Sequence, residues 1–366
     1  MEPSFSLKDE LFNEDTVSVI AKAIKTIHAF DHETFIIKCV KGFEGRELKE
    51  RMGYVALCLE EILPEDFIEA TQILYQALKG LKVGQMFVFG AFCDFVANNG
   101  CNDEYVDHSL EMLGEYTKSF SSEFAIRTFI NHYPIKSFEK MMEWSLSEDE
   151  DQRRLASEGL RPKLPWSIKI NFDYKKGIKP LYNLYHDEVR YVTRSVANHL
   201  NDIAKIDPDL VVEILKDWVT SGKQSKQEMD YIVNHSSRTL IKKGHLGALA
   251  LQGYNAESQC EISDFKLVSK ALTIGDYLEF NFEFKALEDA KYMVDYIVEY
   301  PMANGKRSSK VFKIKKLDLK KNEGAYVKKR HQFKQMTTKT WYQGEYKVKI
   351  QVNGRVLDSQ VFSLEV

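Results

Sequence analysis

The sequence lacks several features that define common classes of protein. It contains no apolar run long enough to span a membrane, and its first residues have no basic region followed by an apolar one. Its five cysteines are odd in number, widely spaced and without a CxxC motif, which favours reduced thiols over a disulfide framework. These absences predict a cytoplasmic protein that does not enter a membrane.

The motifs of many cofactor-dependent and metal-dependent enzymes are missing as well. The sequence has no GxGxxG motif after a predicted strand, no P-loop, no HExxH and no GxSxG. The nine histidines do not have the spacing of metal ligands. We therefore expect neither a metal ion nor a cofactor.

Charged residues are plentiful but unevenly distributed along the chain. The formal net charge is −3, yet residues 1–150 carry −13, whereas residues 151–255 and residues 256–366 carry +5 each. A polyanion is therefore expected to meet the second half of the chain. Sign alone is weak evidence, because many cationic faces are merely solvated.

Apolar residues at helical spacing dominate residues 11–255. Short turns separate the predicted helices, and successive helix pairs repeat at roughly 35–40 residues, the period of HEAT-like arrays. This pattern predicts an α-solenoid of HEAT-like antiparallel helix pairs over residues 1–254. The concave face of such a stack is a natural groove for an extended partner.

The periodicity changes from 3.6 to two residues near Tyr254. Seven short alternating segments follow, and Asn353-Gly354 between the last two is a strong hairpin signal. Seven such strands in a segment of this length predict an all-β immunoglobulin-like sandwich over residues 255–366. Its basic stretch from Lys313 to Arg330 either contacts a polyanion or only prevents edge-to-edge pairing of strands.

The densest cluster of charged and aromatic residues is RRLASEGLRPKLPW, residues 153–166. In a helix, Arg154, Glu158 and Arg161 stand on one face, so that a single carboxylate lies between two guanidiniums. Such surroundings favour the ionised carboxylate. Two prolines then end the helix and stiffen the turn before Trp166. The alternative is a solvated helix end whose tryptophan packs inward.

Three other segments carry the same types of residue. The predicted helix Asp187–Ile206 has an apolar face and, opposite it, a polar stripe suited to phosphates, with Asp202 at its edge. That stripe comprises Arg190, Arg194, Asn198, Asn201 and Lys205. A further cationic stripe comprises His235, Arg238, Lys242 and Lys243. Glu123 and Arg127 form an i, i+4 pair near another helix start.

A solenoid places equivalent faces of successive helix pairs side by side. Glu123, Glu158 and Asp202 are therefore expected to converge in one groove, with the cationic stripes extending its lining. The alternative for each stripe taken singly is a solvated helix face.

Three runs, RRLASEGLRPKLPW, VRYVTRSVANHLNDIAKIDPDLV and NHSSRTLIKKGHLGALAL, resemble the AlkC branch of the HEAT-like-repeat DNA glycosylases, which are DNA alkylation repair enzymes. The likeness covers residues 5 to about 254, and the sandwich is similar to an immunoglobulin-like extension that a subset of the family carries. The resemblance implies a monofunctional glycosylase of base excision repair. It would excise 3-methylcytosine, 1-methyladenine and 3-methyladenine from double-stranded DNA without flipping the base, and we expect it to be a monomer.

The resemblance also implies roles for particular residues. The active-site acids would be Asp202, Glu158 and Glu123. The resemblance and the cationic stripes together predict a set of DNA-binding residues: Arg154, Arg161, Lys163, Trp166, Arg190, Arg194, Lys205, Arg238 and Lys242. Lys163 departs from the arginine that the family pattern favours, which keeps a cation but loses bidentate phosphate binding.

A competing class is a non-catalytic solenoid, either a DNA-damage sensor or a scaffold that binds a protein through its concave face. That class explains the helices and the charge asymmetry. It does not explain why carboxylates accompany the cations, whereas a fixed carboxylate suits the oxocarbenium-like sugar of N-glycosidic cleavage.

Overall fold

The computed structural model describes residues 6–79, 86–335 and 340–366. The chain divides into two compact units, one formed by residues 1–203 and 222–232 and the other by residues 204–221 and 233–366. The predicted boundary at residue 254 marks the change from helices to strands, which is a different criterion, and it stays a prediction. Within the described ranges, no helix combines the length and the hydropathy needed to cross a membrane.

Within the described residues, short and medium helices make up most of the chain up to residue 251. The first seven α-helices are α1 (Leu7–Leu11), α2 (Glu14–Lys25), α3 (His32–Lys41), α4 (Leu48–Glu60), α5 (Phe67–Lys79), α6 (Gly90–Gly100) and α7 (Val106–Tyr116), with a 3-10 turn at Phe87–Phe89 before α6. The next six are α8 (Ile126–His132), α9 (Pro134–Trp144), α10 (Glu150–Glu158), α11 (Tyr174–Gly177), α12 (Leu181–Leu184) and α13 (Arg190–Ile203). The last four are α14 (Pro208–Ser221), α15 (Lys226–Ser236), α16 (Arg238–Lys242) and α17 (Leu246–Leu251).

The helix starts follow ordinary capping chemistry. Asn13 forms a capping box at the start of α2, since its side chain accepts from the backbone N–H of Thr16 while the Thr16 hydroxyl pairs with the backbone N–H of Asn13. The side chain of Asp149 accepts from two backbone N–H groups at the start of α10. Both N-caps are side chains of the types that favour this position.

Several predicted helices are shorter than their periodicity suggests. Although the stretch from Ser119 has helical spacing of its apolar residues, α8 begins only at Ile126, so that Glu123 lies in the turn before it. Helical spacing extends over residues 225–243, but the structure divides this stretch into α15 and α16 at Ser237, whose hydroxyl donates to the carbonyl of Val233 at 2.6 Å. Serine side chains that bond nearby backbone groups compete with regular helix, which accounts for such a break.

The C-terminal sandwich has two sheets, with strand orders β1–β3–β6 and β2–β8–β7–β4–β5. The strands are β1 (Cys260–Leu267), β2 (Ala271–Thr273), β3 (Tyr277–Ala286), β4 (Ala290–Pro301), β5 (Arg307–Leu319), β6 (Gly324–Gln332), β7 (Gly344–Val352) and β8 (Arg355–Glu365). The sequence predicts seven of them and misses β2, because three residues are too few to show alternation. β2 pairs with β8 in parallel, whereas the other described pairs are antiparallel.

The sandwich core follows the alternation of its strands. In β3 the side chains of Phe280, Phe282 and Phe284 are buried, and the intervening polar residues face outward. The predicted hairpin is present, with Asn353 and Gly354 at φ values of 47° and 84° between β7 and β8. The predicted fold class, HEAT-like helix pairs followed by an immunoglobulin-like sandwich, is confirmed.

Candidate active site

The site is built where α10 packs against α13 in the helical unit. α10 carries Arg154 and ends at Glu158, Arg161 lies in the turn just beyond it, and α13 carries Asp202 near its end. Glu123 approaches from the turn before α8. The three predicted carboxylates and two of the predicted arginines therefore meet in one place.

Carboxylates and guanidiniums alternate across this place. Arg154 Nη1 lies 2.9 Å from Glu123 Oε2, and Arg154 Nη2 lies 3.9 Å from Glu158 Oε2. Arg161 donates to Glu158 Oε1 through Nη1. It also donates to Asp202 Oδ2 through Nε, and the distance is 3.0 Å. We call these five residues the charged chain: three acids with two arginines between them.

Burial makes the pairing in the charged chain necessary. Glu158 and Asp202 are 4% and 3% exposed, so each carboxylate would be strongly destabilised without a nearby cation. Glu158 also ends a helix, where the helix dipole disfavours negative charge. Burial lowers the pKa of Arg161, but the charges of Glu158 and Asp202 outweigh burial and raise its pKa overall. The two arginines are thus held firmly in the charged form.

A second layer of polar side chains supports Glu158 from behind. The hydroxyl of Ser195 on α13 donates to Glu158 Oε2 and lies 3.0 Å from the hydroxyl of Ser157. His199 donates from Nδ1 to the carbonyl of Ser157 at 3.0 Å. Burial, followed by the charge of Arg161, lowers the pKa of His199 to about 4, so the imidazole is neutral at neutral pH. The sequence gives no sign of these contacts, because their partners lie 37 to 42 residues apart.

The predicted pairing of Glu123 with Arg127 is not what the structure contains. Glu123 pairs with Arg154 and accepts from the hydroxyl of Ser121 at 3.0 Å. The guanidinium of Arg127 instead donates to the backbone carbonyls of Gly159, Arg161 and Ile168. The i, i+4 spacing is compatible with a salt bridge, but Glu123 lies in a turn and not on the helix face.

Trp166 is exposed in the segment that follows Arg161, and the alternative of an inward-packed tryptophan is wrong. Its side chain is 66% exposed, whereas Leu164 and Ile170 in the same segment are buried. Its φ of 58° places a bulky residue in the left-handed region, which costs about 1–3 kcal/mol. Lys163 is exposed in the same turn. The segment therefore presents an aromatic ring and a cation to solvent on a strained backbone.

The ring of Tyr191 lies between Arg154 of the charged chain and the exposed Arg194. The guanidinium carbon of Arg154 lies 4.8 Å from the ring centroid of Tyr191, and that of Arg194 lies 5.8 Å from it. Arg194 is exposed. Arg190, one turn earlier on α13, donates to both carboxylate oxygens of Glu228. The predicted polar stripe thus begins at the edge of the charged chain.

Other predicted residues lie elsewhere. Asn201 is buried and does not belong to an exposed stripe, and Lys205 is exposed just beyond α13. Arg238 and Lys242 line a cavity of about 210 Å³ in the second unit. The same cavity is lined by Lys313 and Lys316 of β5 and by the buried Asp295 of β4, together with Asn234, Ile241, Gln252, Met293 and Val311. Basic residues of helix and sandwich are therefore close together within that unit.

Comparison with known proteins gives consistent matches over the whole chain. A family model described as the C-terminal Ig-like domain of the uncharacterised protein YhaZ matches residues 261–366. The chain is 33% identical over 360 residues to the uncharacterized protein YhaZ of Bacillus subtilis (strain 168), covering 97% of this chain and 98% of YhaZ. It is 31% identical to the Pseudomonas fluorescens alkylpurine DNA glycosylase AlkC bound to DNA containing an abasic site analog. That match covers 98% of this chain and 99% of AlkC, with a TM-score of 0.87.

Helical repeats followed by an immunoglobulin-like domain define the class of protein to which these matches point. The chain belongs to the AlkC branch of the HEAT-like-repeat DNA glycosylases, in the form that carries a C-terminal immunoglobulin-like domain.

Proposed function

We propose that the protein is a monofunctional glycosylase that hydrolyses the N-glycosidic bond of cationic alkylated bases in double-stranded DNA, as part of base excision repair. The observation that supports this most directly is the charged chain, which brings three carboxylates to one place, together with the exposed ring of Trp166 in the segment that follows Arg161. The AlkC structure, whose DNA contains an abasic site analog, supports the same class of reaction. In this proposal the substrates of the present protein are 3-methylcytosine, 1-methyladenine and 3-methyladenine, and the protein acts as a cytoplasmic monomer.

Cleavage of the N-glycosidic bond of a cationic base requires negative charge near the sugar, but it requires no general acid to protonate the leaving base. Cleavage of the N-glycosidic bond builds positive charge on the deoxyribose, and a preorganised carboxylate stabilises that charge best where water is excluded. Asp202 and Glu158 supply such fixed negative charge. A base that is already cationic leaves without protonation, so ionised carboxylates are the form required.

Glu123 is the acid best placed to orient the attacking water. Its side chain is 15% exposed, against 5% for Glu158 and 3% for Asp202, so water can reach it more easily. In this scheme the two buried acids stabilise charge, and Glu123 orients the water that attacks the sugar. No lysine nucleophile is needed, as expected for a hydrolase without lyase activity.

The exposed cations and Trp166 hold the DNA around the lesion. Arg194, Lys163 and Lys205 are exposed at the surface, where they can contact phosphates, and phosphate contacts fix register without reading sequence. Trp166 packs against the deoxyribose beside the damaged nucleotide, and the base stays in the stack. Arg238 and Lys242, with the basic stretch of the sandwich, provide a further cationic surface for the duplex.

The direct test is release of base from methylated duplex DNA, measured by chromatography of the free base under single-turnover conditions. We expect release of 3-methyladenine, 3-methylcytosine and 1-methyladenine and the appearance of abasic sites that alkali converts to breaks. Asp202→Asn should bind the same DNA and release far less base. Binding of damaged DNA by the unaltered protein without release of any methylated base would favour the damage-sensor alternative and end the proposal.

A further inference from the structure

Arg127 holds both ends of the segment that carries Trp166. Its side chain is 1% exposed, and its Nε donates to the carbonyl of Ile168 at 2.7 Å. Its Nη1 donates to the carbonyls of Arg161 and Gly159 at 2.8 and 3.1 Å. Because a guanidinium is a rigid planar fork, these three bonds fix the two ends of the segment against each other.

Asn131, one turn later on α8, extends this support. Its side-chain amide donates to the carbonyl of Lys169 at 3.0 Å and accepts from the backbone N–H of Asn171 at 2.8 Å. The buried side chains of Leu164 and Ile170 anchor the same segment by packing. Helix α8 therefore supports residues 159–171 along their length, although this segment contains no helix or strand.

The supported segment carries two residues of the candidate site. Arg161 reaches Glu158 and Asp202 from a backbone whose carbonyl is held by Arg127. Trp166 has a left-handed backbone conformation that persists only where the surroundings enforce it. Loosening the support should therefore displace the guanidinium of Arg161 and relax the turn that exposes Trp166.

We propose that Arg127 is a positioning residue, which holds residues 159–168 so that Arg161 and Trp166 are presented in one fixed arrangement. The inference rests on the proposed glycosylase function for its catalytic consequence, but not for its structural one. Burial, followed by the charge of Arg161, lowers the pKa of Arg127 to about 10, so the guanidinium stays protonated and keeps its donors at neutral pH.

The test compares Arg127→Lys with Arg51→Lys. Arg51 is a buried arginine that also donates to three backbone carbonyls, those of Lys8, Phe12 and Arg46, and it lies in the region of α4, outside the site. In the full-length protein, Arg127→Lys should make trypsin cleavage after Lys163 or Lys169 about tenfold faster, because the segment opens locally. It should slow excision about 10²-fold while duplex affinity changes little, as expected for a misplaced site.

The two readouts separate the possible failures. If Arg127→Lys is cleaved after these lysines no faster than Arg51→Lys, and activity falls in both only as thermal stability falls, Arg127 has a general structural role and the proposal is wrong. Faster cleavage in a protein that releases no methylated base would keep the positioning role and remove the glycosylase function. Should Arg127→Lys not fold, Asn131→Ala removes the hydrogen bonds to Lys169 and Asn171 at the end of the same segment and should give the same changes on a smaller scale.

Discussion

Two sets of charged residues in the helical unit have the same i, i+4 spacing in the sequence and opposite surroundings in the fold. Arg154 lies four residues from Glu158 on α10, and it is largely buried between Glu158 and Glu123. Arg190 and Arg194 lie four residues apart on α13, and both are exposed. The first arrangement neutralises buried acids, whereas the second places two guanidiniums at the surface. Spacing alone therefore does not separate a site from a solvated face, and burial does.

The two exposed arginines, Arg190 and Arg194, differ in whether a carboxylate neutralises them. Arg190 donates to Glu228 and lies 3.8 Å from the ring centroid of Tyr231, so its charge already has a partner. Arg194 contacts the ring of Tyr191, and among the described residues no carboxylate lies within salt-bridge distance of it. An anion arriving from solvent therefore gains more from Arg194 than from Arg190.

The comparison predicts the largest difference in stability. Arg161→Met removes the partner of two buried carboxylates, and we expect the free energy of unfolding to fall by about 3–5 kcal/mol. Arg190→Met breaks a pair whose arginine side chain is half exposed, and its loss should stay within about 1 kcal/mol. Urea unfolding monitored by circular dichroism measures both. If the free energy of unfolding falls equally in the two variants, the burial of the charged chain does not increase the cost of removing its arginine.

Removing the buried negative charge should have the next largest effect, on rate. Asp202→Asn and Glu158→Gln should each slow single-turnover excision by about 10²–10³-fold with little loss of DNA affinity. The matched control is Asp187→Asn, a carboxylate that is also buried and also paired with an arginine, Arg153, outside the charged chain. It should reduce stability and leave the excision rate of the folded protein unchanged. Wild-type rates in both Asp202→Asn and Glu158→Gln would end the catalytic assignment.

The parts of this comparison that the sequence predicts are those encoded locally. The i, i+4 spacing of Arg154 and Glu158 and the alternation in β3 each depend on neighbouring residues, and both are present in the structure. Contacts between segments are not encoded in this way. The support of Glu158 by Ser195, and of residues 159–168 by Arg127, follows from how helices pack, which spacing within one helix does not reveal.

The backbone conformation of Trp166 is likewise not predictable from the sequence. A tryptophan after a proline predicts a stiff turn, but a positive φ is a property that sequence favours only for glycine and, less often, asparagine or aspartate. The surrounding segment imposes this conformation on Trp166. The exposed ring, which decides between the two readings of this cluster, is therefore known only from the fold.

His199 is buried near the charged chain, and its titration provides a test of the buried site through the pH dependence of stability. The pKa of His199 is about 4 in the fold, below its ordinary value of 6.5, because burial and then Arg161 disfavour the cation. Below pH 6.5 the unfolded chain binds a proton that the folded chain does not, so stability falls as pH decreases to about 4. The expected loss is roughly 3 kcal/mol. His199→Asn, which keeps a donor near the Nδ1 position, should remove this part of the pH dependence.

The opposite sign is expected for Asp295 in the sandwich. Burial raises the pKa of its carboxyl to about 6, against an ordinary value of 3.8, despite the nearby Lys313 and Lys316. Between pH 4 and 6 the folded chain therefore binds the extra proton, and stability rises as pH falls through that range. Asp295→Asn should abolish this gain. Urea unfolding of each variant at a series of pH values between 4 and 7 tests both signs, and the same sign for both residues would contradict the assignment.

The smallest expected effect is on the salt dependence of DNA binding, and it compares the two exposed arginines directly. Each phosphate contact adds about one unit to the slope of log affinity against log salt concentration, so Arg194→Ala should lower that slope by roughly one. Arg190→Ala should lower it less, because Glu228 already neutralises that guanidinium. Glu228→Gln should free Arg190 and raise the slope. These shifts should be the same on undamaged and methylated duplexes, since phosphates carry no information about the lesion. If the slope is unchanged by Arg194→Ala and lowered by Arg190→Ala, then Arg190 contacts a phosphate and Arg194 does not. Glu228 would in that case be displaced from Arg190 when DNA binds.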